Sequence, residues 1–179
     1  TLVDRDELAI EPAGDVESLR GDHRRVDAMT LAANQEVVLE GIQGNAMEIV
    51  AELDPRGAPL VEMNVLRSPN KEEFTRIAFF RDRGYREPSE KGRQLSSITI
   101  DTSYSSQLPD VRSRAPETAP VFLDKGEPLR LRVFVDRSVV EVFVNGRQCV
   151  AVRVYPGRED SLGVSLRAQG HDAELKSFD

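Results

Sequence analysis

"LRLRVFVDRSVVEVFVNGRQCVAVRVYP", Leu129 to Pro156, alternates apolar and polar residues, breaks at Asp136-Arg137-Ser138, alternates again, breaks at Asn145-Gly146, and alternates a third time. A period of two is the strand period, so this stretch reads as three strands joined by tight turns. In the first strand Leu129, Leu131, Val133 and Val135 share one face, and Arg130, Arg132 and Phe134 share the other. A two-residue turn at Asp136-Arg137 or Arg137-Ser138 sets Val140, Val142 and Val144 beside that apolar set. Glu141 then falls on the arginine face, where a cross-strand ion pair, if exposed, is worth less than about 1 kcal/mol. Asn145-Gly146 is the strongest short-range hairpin signal, because a type I′ turn needs positive φ at both central residues. A tight register there pairs Val142 with Cys149 and Val140 with Ala151, and predicts a buried, unreactive Cys149. Val150, Val152 and Val154 would then join Phe134, Val139 and Phe143 and make both faces apolar. Either the sheet is covered on both sides or a bulge follows Gly146, and cover on both sides is the expectation.

Working outward, strand-like runs recur at Ala46 to Leu53, Leu60 to Ser68, Thr75 to Asp82 and Ser96 to Ser103. Met47, Ile49 and Ala51 share a face of the first, which ends in an Asp54-Pro55-Arg56-Gly57 turn. A long polar loop is expected from Tyr104 to Pro120. The segment from Glu11 to Val26 has Pro12 at a plausible helix start and reads equally as a short helix or a linker. Strands at such spacing with few helices between them predict an all-β, antiparallel sandwich or barrel.

A chain of 179 residues suits a single domain. With 24 Lys and Arg against 31 Asp and Glu, its formal charge of -7 opposes binding to nucleic acid or an anionic membrane. No apolar run approaches the roughly 18 residues of a membrane span, and a soluble protein is expected. The opening "TLVDRDELAIEPAGD" has neither an initiating Met nor a signal-like apolar core, as expected where processing or a fragment boundary sets the start. One cysteine, Cys149, excludes an internal disulfide.

Chemistry-bearing motifs are scarce. His23 and His171 sit in polar contexts and read as surface residues. No Cys/His cluster has zinc spacing, no glycine-rich loop has phosphate-binding form, and Ser138 lacks a nucleophile elbow, so neither metal nor cofactor is expected. The "KEEF" run at Lys71 to Phe74 and the "REDS" run at Arg158 to Ser161 read as solvated charge. Sugar platforms rely on exposed aromatics, and with no Trp the candidates are Tyr85, Tyr104 and Tyr155. Arg132, Glu141 and Phe143 complete the set of candidate carbohydrate or interface contacts.

The stretch "EPLRLRVFVDRSVVEVFVNGRQCVAVRVYP" resembles the C-terminal β-sandwich of glycoside hydrolase family 32, the invertases, levanases, inulinases and sucrose-6-phosphate hydrolases. "ELAIEPAGDVESLR" is similar to the linker after that family's catalytic propeller, "ITIDTSYSS" to a mid-module strand, and "DSLGVSLRAQGHDAELKSFD" to its closing strands. The resemblance implies a jelly-roll or concanavalin-like sandwich with about six strands per sheet. It also implies a linker or short helix over 1–20, a sandwich module over 21–179, and an N-terminal five-bladed propeller as partner. The family's catalytic motifs, of the Trp-Met-Asn-Asp-Pro, Arg-Asp-Pro and Glu-Cys kinds, lie on that propeller. Here there is no Trp, Arg81-Asp82 is followed by Arg83, and Cys149 follows Gln148. No residue therefore inherits a catalytic role.

Three functions from different classes follow as expectations. The first is a non-catalytic module that supports a fructan- or sucrose-cleaving hydrolase and mediates oligomerisation. The second is a lectin-like module that binds fructan weakly. The third, an autonomous hydrolase, needs a carboxylate pair about 5 to 9.5 Å apart in a cleft.

Overall fold

The computed structural model describes residues 2–4, 7–83, 93–112 and 114–179. A two-stranded ribbon, β1 (Leu2–Asp4) and β2 (Glu7–Leu8), leads to a single 3₁₀ turn at Glu17–Leu19. Then come β3 (Met29–Leu31), β4 (Glu36–Gln43), β5 (Ala46–Asp54), β6 (Leu60–Arg67), β7 (Thr75–Phe80) and β8 (Arg93–Asp101). β9 (Glu117–Asp124), β10 (Leu129–Asp136), β11 (Val139–Val144), β12 (Gln148–Arg153), β13 (Gly163–Gln169) and β14 (Ala173–Phe178) complete the chain. They form two antiparallel sheets of six strands, in the orders β12-β11-β10-β5-β14-β3 (sheet 1) and β4-β13-β6-β7-β8-β9 (sheet 2). This is the sandwich expected from the alternating pattern. β9 begins at Glu117, inside the expected Tyr104 to Pro120 loop.

One face of each sheet supplies the core. Ile49, Leu53, Leu129, Val133 and Val142 of sheet 1 meet Met63, Ile77, Phe79, Ile98, Ile100 and Leu166 of sheet 2, all of them sealed from solvent. Each such side chain contributes about 1.5–3 kcal/mol on leaving water. Along β10 and β11 the inward residues are those of the sequence reading: Val133 stands opposite Val142, Val135 opposite Val140, and the turn is Arg137-Ser138.

The second hairpin departs from the expected register. Asn145 and Gly146 do adopt positive φ, 50° and 65°, and the Arg147 amide closes the turn by donating to the Val144 carbonyl at 3.0 Å. The ladder then resumes with Val144 opposite Gln148, so Arg147 is an extra residue in β12's approach, a bulge. Phe143 faces Cys149 and Val142 faces Val150. The cause lies in the side chains around the turn. Arg147 Nη1 donates to Glu127 at 2.9 Å and to the Phe122 carbonyl at 3.2 Å. Asn145 Nδ2 donates to Glu127 at 3.0 Å and to the Pro128 carbonyl at 2.9 Å, while its Oδ1 accepts from the Arg130 amide at 2.9 Å. Burial would raise the Glu127 carboxyl, but bonds from the Asp124 amide, Arg147 and Asn145 outweigh it and hold it below the usual range.

The bulge restores one apolar and one mixed face. Val150 joins the core, and Cys149 moves to the outer face of sheet 1, half-buried. The expectations of a core Cys149 and of a Val142 to Cys149 pairing are therefore corrected. Burial, and then the charge of Glu141, raise the Cys149 thiol pKa. Cys149 should accordingly be labelled without unfolding, more slowly than in denaturant. Labelling only at the global unfolding rate would restore the core register.

Candidate functional site

Two surfaces gather chemistry. The first is the outer face of sheet 1, where Arg130, Arg132 and Phe134 of β10, Val139, Glu141 and Phe143 of β11, and Glu48, Val50 and Glu52 of β5 project together. The N-terminal segment crosses this face. Its Ile10 amide donates to the Gly146 carbonyl at 2.8 Å, and Arg20 grips Glu48 with two bonds of 2.7 and 3.0 Å. Glu48 also accepts from Arg132 Nε at 2.6 Å. The Arg20 bond, working against burial, and then the Arg132 bond hold the Glu48 carboxyl low. Between the segment and the sheet lies an open cleft of about 210 Å³, with Ile10, Pro12, Val50, Arg132 and Phe143 in its walls. Phe134 and Phe143 meet edge to face at 5.9 Å. Leu8, Leu19 and Val50 remain 62, 83 and 41% exposed.

The cross-strand pair expected for Glu141 does not form. Arg130 and Arg132 turn instead to the carboxylates of β5, Glu52 at 2.9 Å and Glu48 at 2.6 Å. β10 is flanked by β5 as well as β11, and that neighbour offers carboxylates on the same face. Glu141 stands opposite Phe134 and Ala151.

The second surface is the outer face of sheet 2 near the start of β7. Phe74 and Tyr104 stack there, 5.2 Å apart and 9° from parallel, with Lys71 Nζ 4.9 Å and Arg76 Cζ 5.8 Å from the Phe74 ring centre. Glu36 accepts from Arg67 at 3.1 Å, Lys71 at 3.0 Å and Ser165 at 2.6 Å. Burial would raise Glu36, and those three bonds bring it down to about 2.

Beneath this surface sits Glu73, 0% exposed. It accepts from the amides of Gln107 at 2.6 Å, Gly157 at 2.9 Å and Arg158 at 3.0 Å, and from Ser161 Oγ at 2.7 Å. One carboxylate thus ties three loops together, those after β6, β8 and β12. Burial would raise its carboxyl; the bonds from Ser161 and the three amides prevail and lower it. The reading of "KEEF" and "REDS" as solvated charge is corrected for Glu73 and Ser161, both buried.

Of the residues singled out from sequence, Arg132, Glu141 and Phe143 share the sheet 1 face. Tyr104 is on the second surface, and Tyr155 is exposed on the loop after β12, one of those that Glu73 ties. Tyr85 lies outside the described residues. Glu73 was missed because its partners lie 34 to 88 residues away, where no periodic pattern reaches. Among the described residues no three His, Cys, Asp or Glu side chains converge as a metal site.

Comparison with known proteins places this architecture. A family described as "Glycosyl hydrolases family 32 C terminal" matches residues 15–179. Levanase of Bacillus subtilis (strain 168) is 29% identical over 170 residues, 93% of this chain and 23% of the levanase. Acid beta-fructofuranosidase of Vigna radiata var. radiata is 35% identical over 129 residues, 71% of this chain and 18% of that protein. The crystal structure of fructan 1-exohydrolase IIa from Cichorium intybus superposes with a TM-score of 0.79 at 18% identity, over 94% of this chain and 36% of that one. This chain therefore spans less than a quarter of the length of these two curated relatives. A match over residues 15–179, which span both six-stranded sheets, shows that the chain belongs to the C-terminal module family of glycosyl hydrolase family 32.

Proposed function

We propose that this chain is a non-catalytic module of a β-fructofuranosidase-type hydrolase, and that it stabilises the catalytic domain by seating it on the outer face of sheet 1. The supporting observation is the course of residues 8–20. They are pinned across that face at Gly146 and Glu48, so a preceding domain enters the module on this side. The face is suited to a partner, with Phe134 and Phe143 half-buried and Val50 exposed beside an open cleft. On its own, such a face favours self-association. The carboxylates support the non-catalytic reading: among the described residues, every carboxyl with a resolved shift is moved downward. A general acid requires the opposite.

The test is to produce the preceding domain of the parent polypeptide separately and mix it with this chain. Sedimentation should reveal a complex, which Val50→Glu should weaken by at least tenfold, about 1.4 kcal/mol, by placing a charge in the interface. A complex indifferent to Val50→Glu would place the seat elsewhere.

A further inference from the structure

We propose that the Tyr104 end of sheet 2 is a binding site for a neutral oligosaccharide, distinct from the seat on sheet 1 and independent of it. Tyr104 is 55% exposed although its ring is fixed in a stack on Phe74. Its loop is held from below. The Tyr104 carbonyl accepts from the Phe74 amide at 2.9 Å, Ser105 Oγ meets Thr75 Oγ1 at 2.9 Å, and the Gln107 amide ends on Glu73. An exposed aromatic ordered in advance offers a flat apolar surface to the C–H face of a sugar ring, with little further ordering on binding.

Hydroxyl recognition requires nearby donors and acceptors that are not already used. Arg76 approaches Glu62 at 3.6 Å and Asp101 at 3.8 Å, both too long for hydrogen bonds, so its guanidinium retains donors. The ligand's charge follows from the local balance. Glu36, Glu62 and Asp101 interleave with Arg67, Lys71, Arg76 and Arg167, each with an opposite charge within 4.0 Å, so no charge stands alone to select an ionic ligand. Stacking surface and unspent donors together describe a polyhydroxyl ligand.

The experiment is a titration of the full chain, followed by amide and tyrosine NMR, with an inulin-type fructo-oligosaccharide and, separately, with maltotetraose. Either sugar should shift resonances around Phe74, Arg76 and Tyr104, with a millimolar dissociation constant. Tyr104→Ala should weaken binding about tenfold or more, the size of a lost stacking contact. Tyr104→Phe, which keeps the ring, should retain most of the affinity, and Leu19→Ala, on the other sheet's side, all of it. Shifts confined to the Val50 and Phe143 cleft would overturn the proposal. So would equal affinity of the folded Tyr104→Ala variant, or no shift with either sugar up to its solubility limit. None of these outcomes bears on the complex with the preceding domain, so the two readings stand or fall separately.

Discussion

Glu73→Ala should be the most damaging single change at the loop end of the module. Removing the carboxylate strands four donors, the amides of Gln107, Gly157 and Arg158 and the hydroxyl of Ser161, around a side chain that is fully buried. At about 1 kcal/mol or more for each stranded donor, the loss is about 3–5 kcal/mol. For a chain of this size that corresponds to a fall in Tm of about 10 °C. Glu73→Gln, which keeps the shape and one acceptor oxygen, should cost about half as much. The pH dependence has a definite sign. Because the folded carboxyl lies below the ordinary value of 4.5, its contribution is fully present above that value. It is lost as pH falls through the folded pKa. The gap between wild type and Glu73→Ala should therefore be constant from pH 7 to about pH 5 and narrow below it. Thermal melts of the two proteins across that range check this, and a gap that widens in acid would show that Glu73 is not held as an anion.

Phe178→Ala should cost a comparable amount at the other end of the sequence. Phe178 is the last residue of β14 and is 1% exposed, facing inward opposite Ala51. Its carbonyl accepts from the Val26 amide at 2.9 Å, and the next residue, Asp179, exchanges two backbone bonds of 2.9 Å with Val50. β14 is thus a core strand whose last ring packs between the two sheets. Truncating a buried Phe to Ala costs about 3–5 kcal/mol, because the cavity adds to the lost transfer energy. Chemical denaturation should show that loss with an unchanged m-value. A loss below about 1 kcal/mol would mean that the end of β14 frays and Phe178 is not packed.

Where alternation was written without interruption, the strands were legible: β5, β10 and β11 follow the period of two, and β10 pairs with β11 as expected. The register after Gly146 was not. A single extra residue, Arg147, inverts every side chain of β12, and what holds it out is Glu127, 20 residues earlier. The same limit hid the partners of Arg130 and Arg132, which lie on β5, 78 and 84 residues away. Period-two patterns report which face a residue occupies; they carry nothing about which strand lies alongside. The candidate surfaces were legible as single residues, Tyr104 and the group of Arg132, Glu141 and Phe143. Their supports, Glu73 and the pinned segment at Ile10 and Arg20, depend on contacts that only the fold creates.

The most direct test of the central claim, that this chain supports a hydrolase without being one, is the release of reducing sugar from sucrose and levan by the purified chain. Retaining hydrolysis needs a nucleophilic carboxylate and a protonated acid about 5–5.5 Å apart. Here Glu36, Glu48 and Glu73 are each tied to cations or amides that keep them ionised. Glu62 lies between Arg76 at 3.6 Å and Arg167 at 4.0 Å. The predicted result is no turnover above a blank without protein, for wild type and for Glu62→Gln and Glu141→Gln alike. Turnover that is well above the blank and abolished by one of those substitutions would contradict the account.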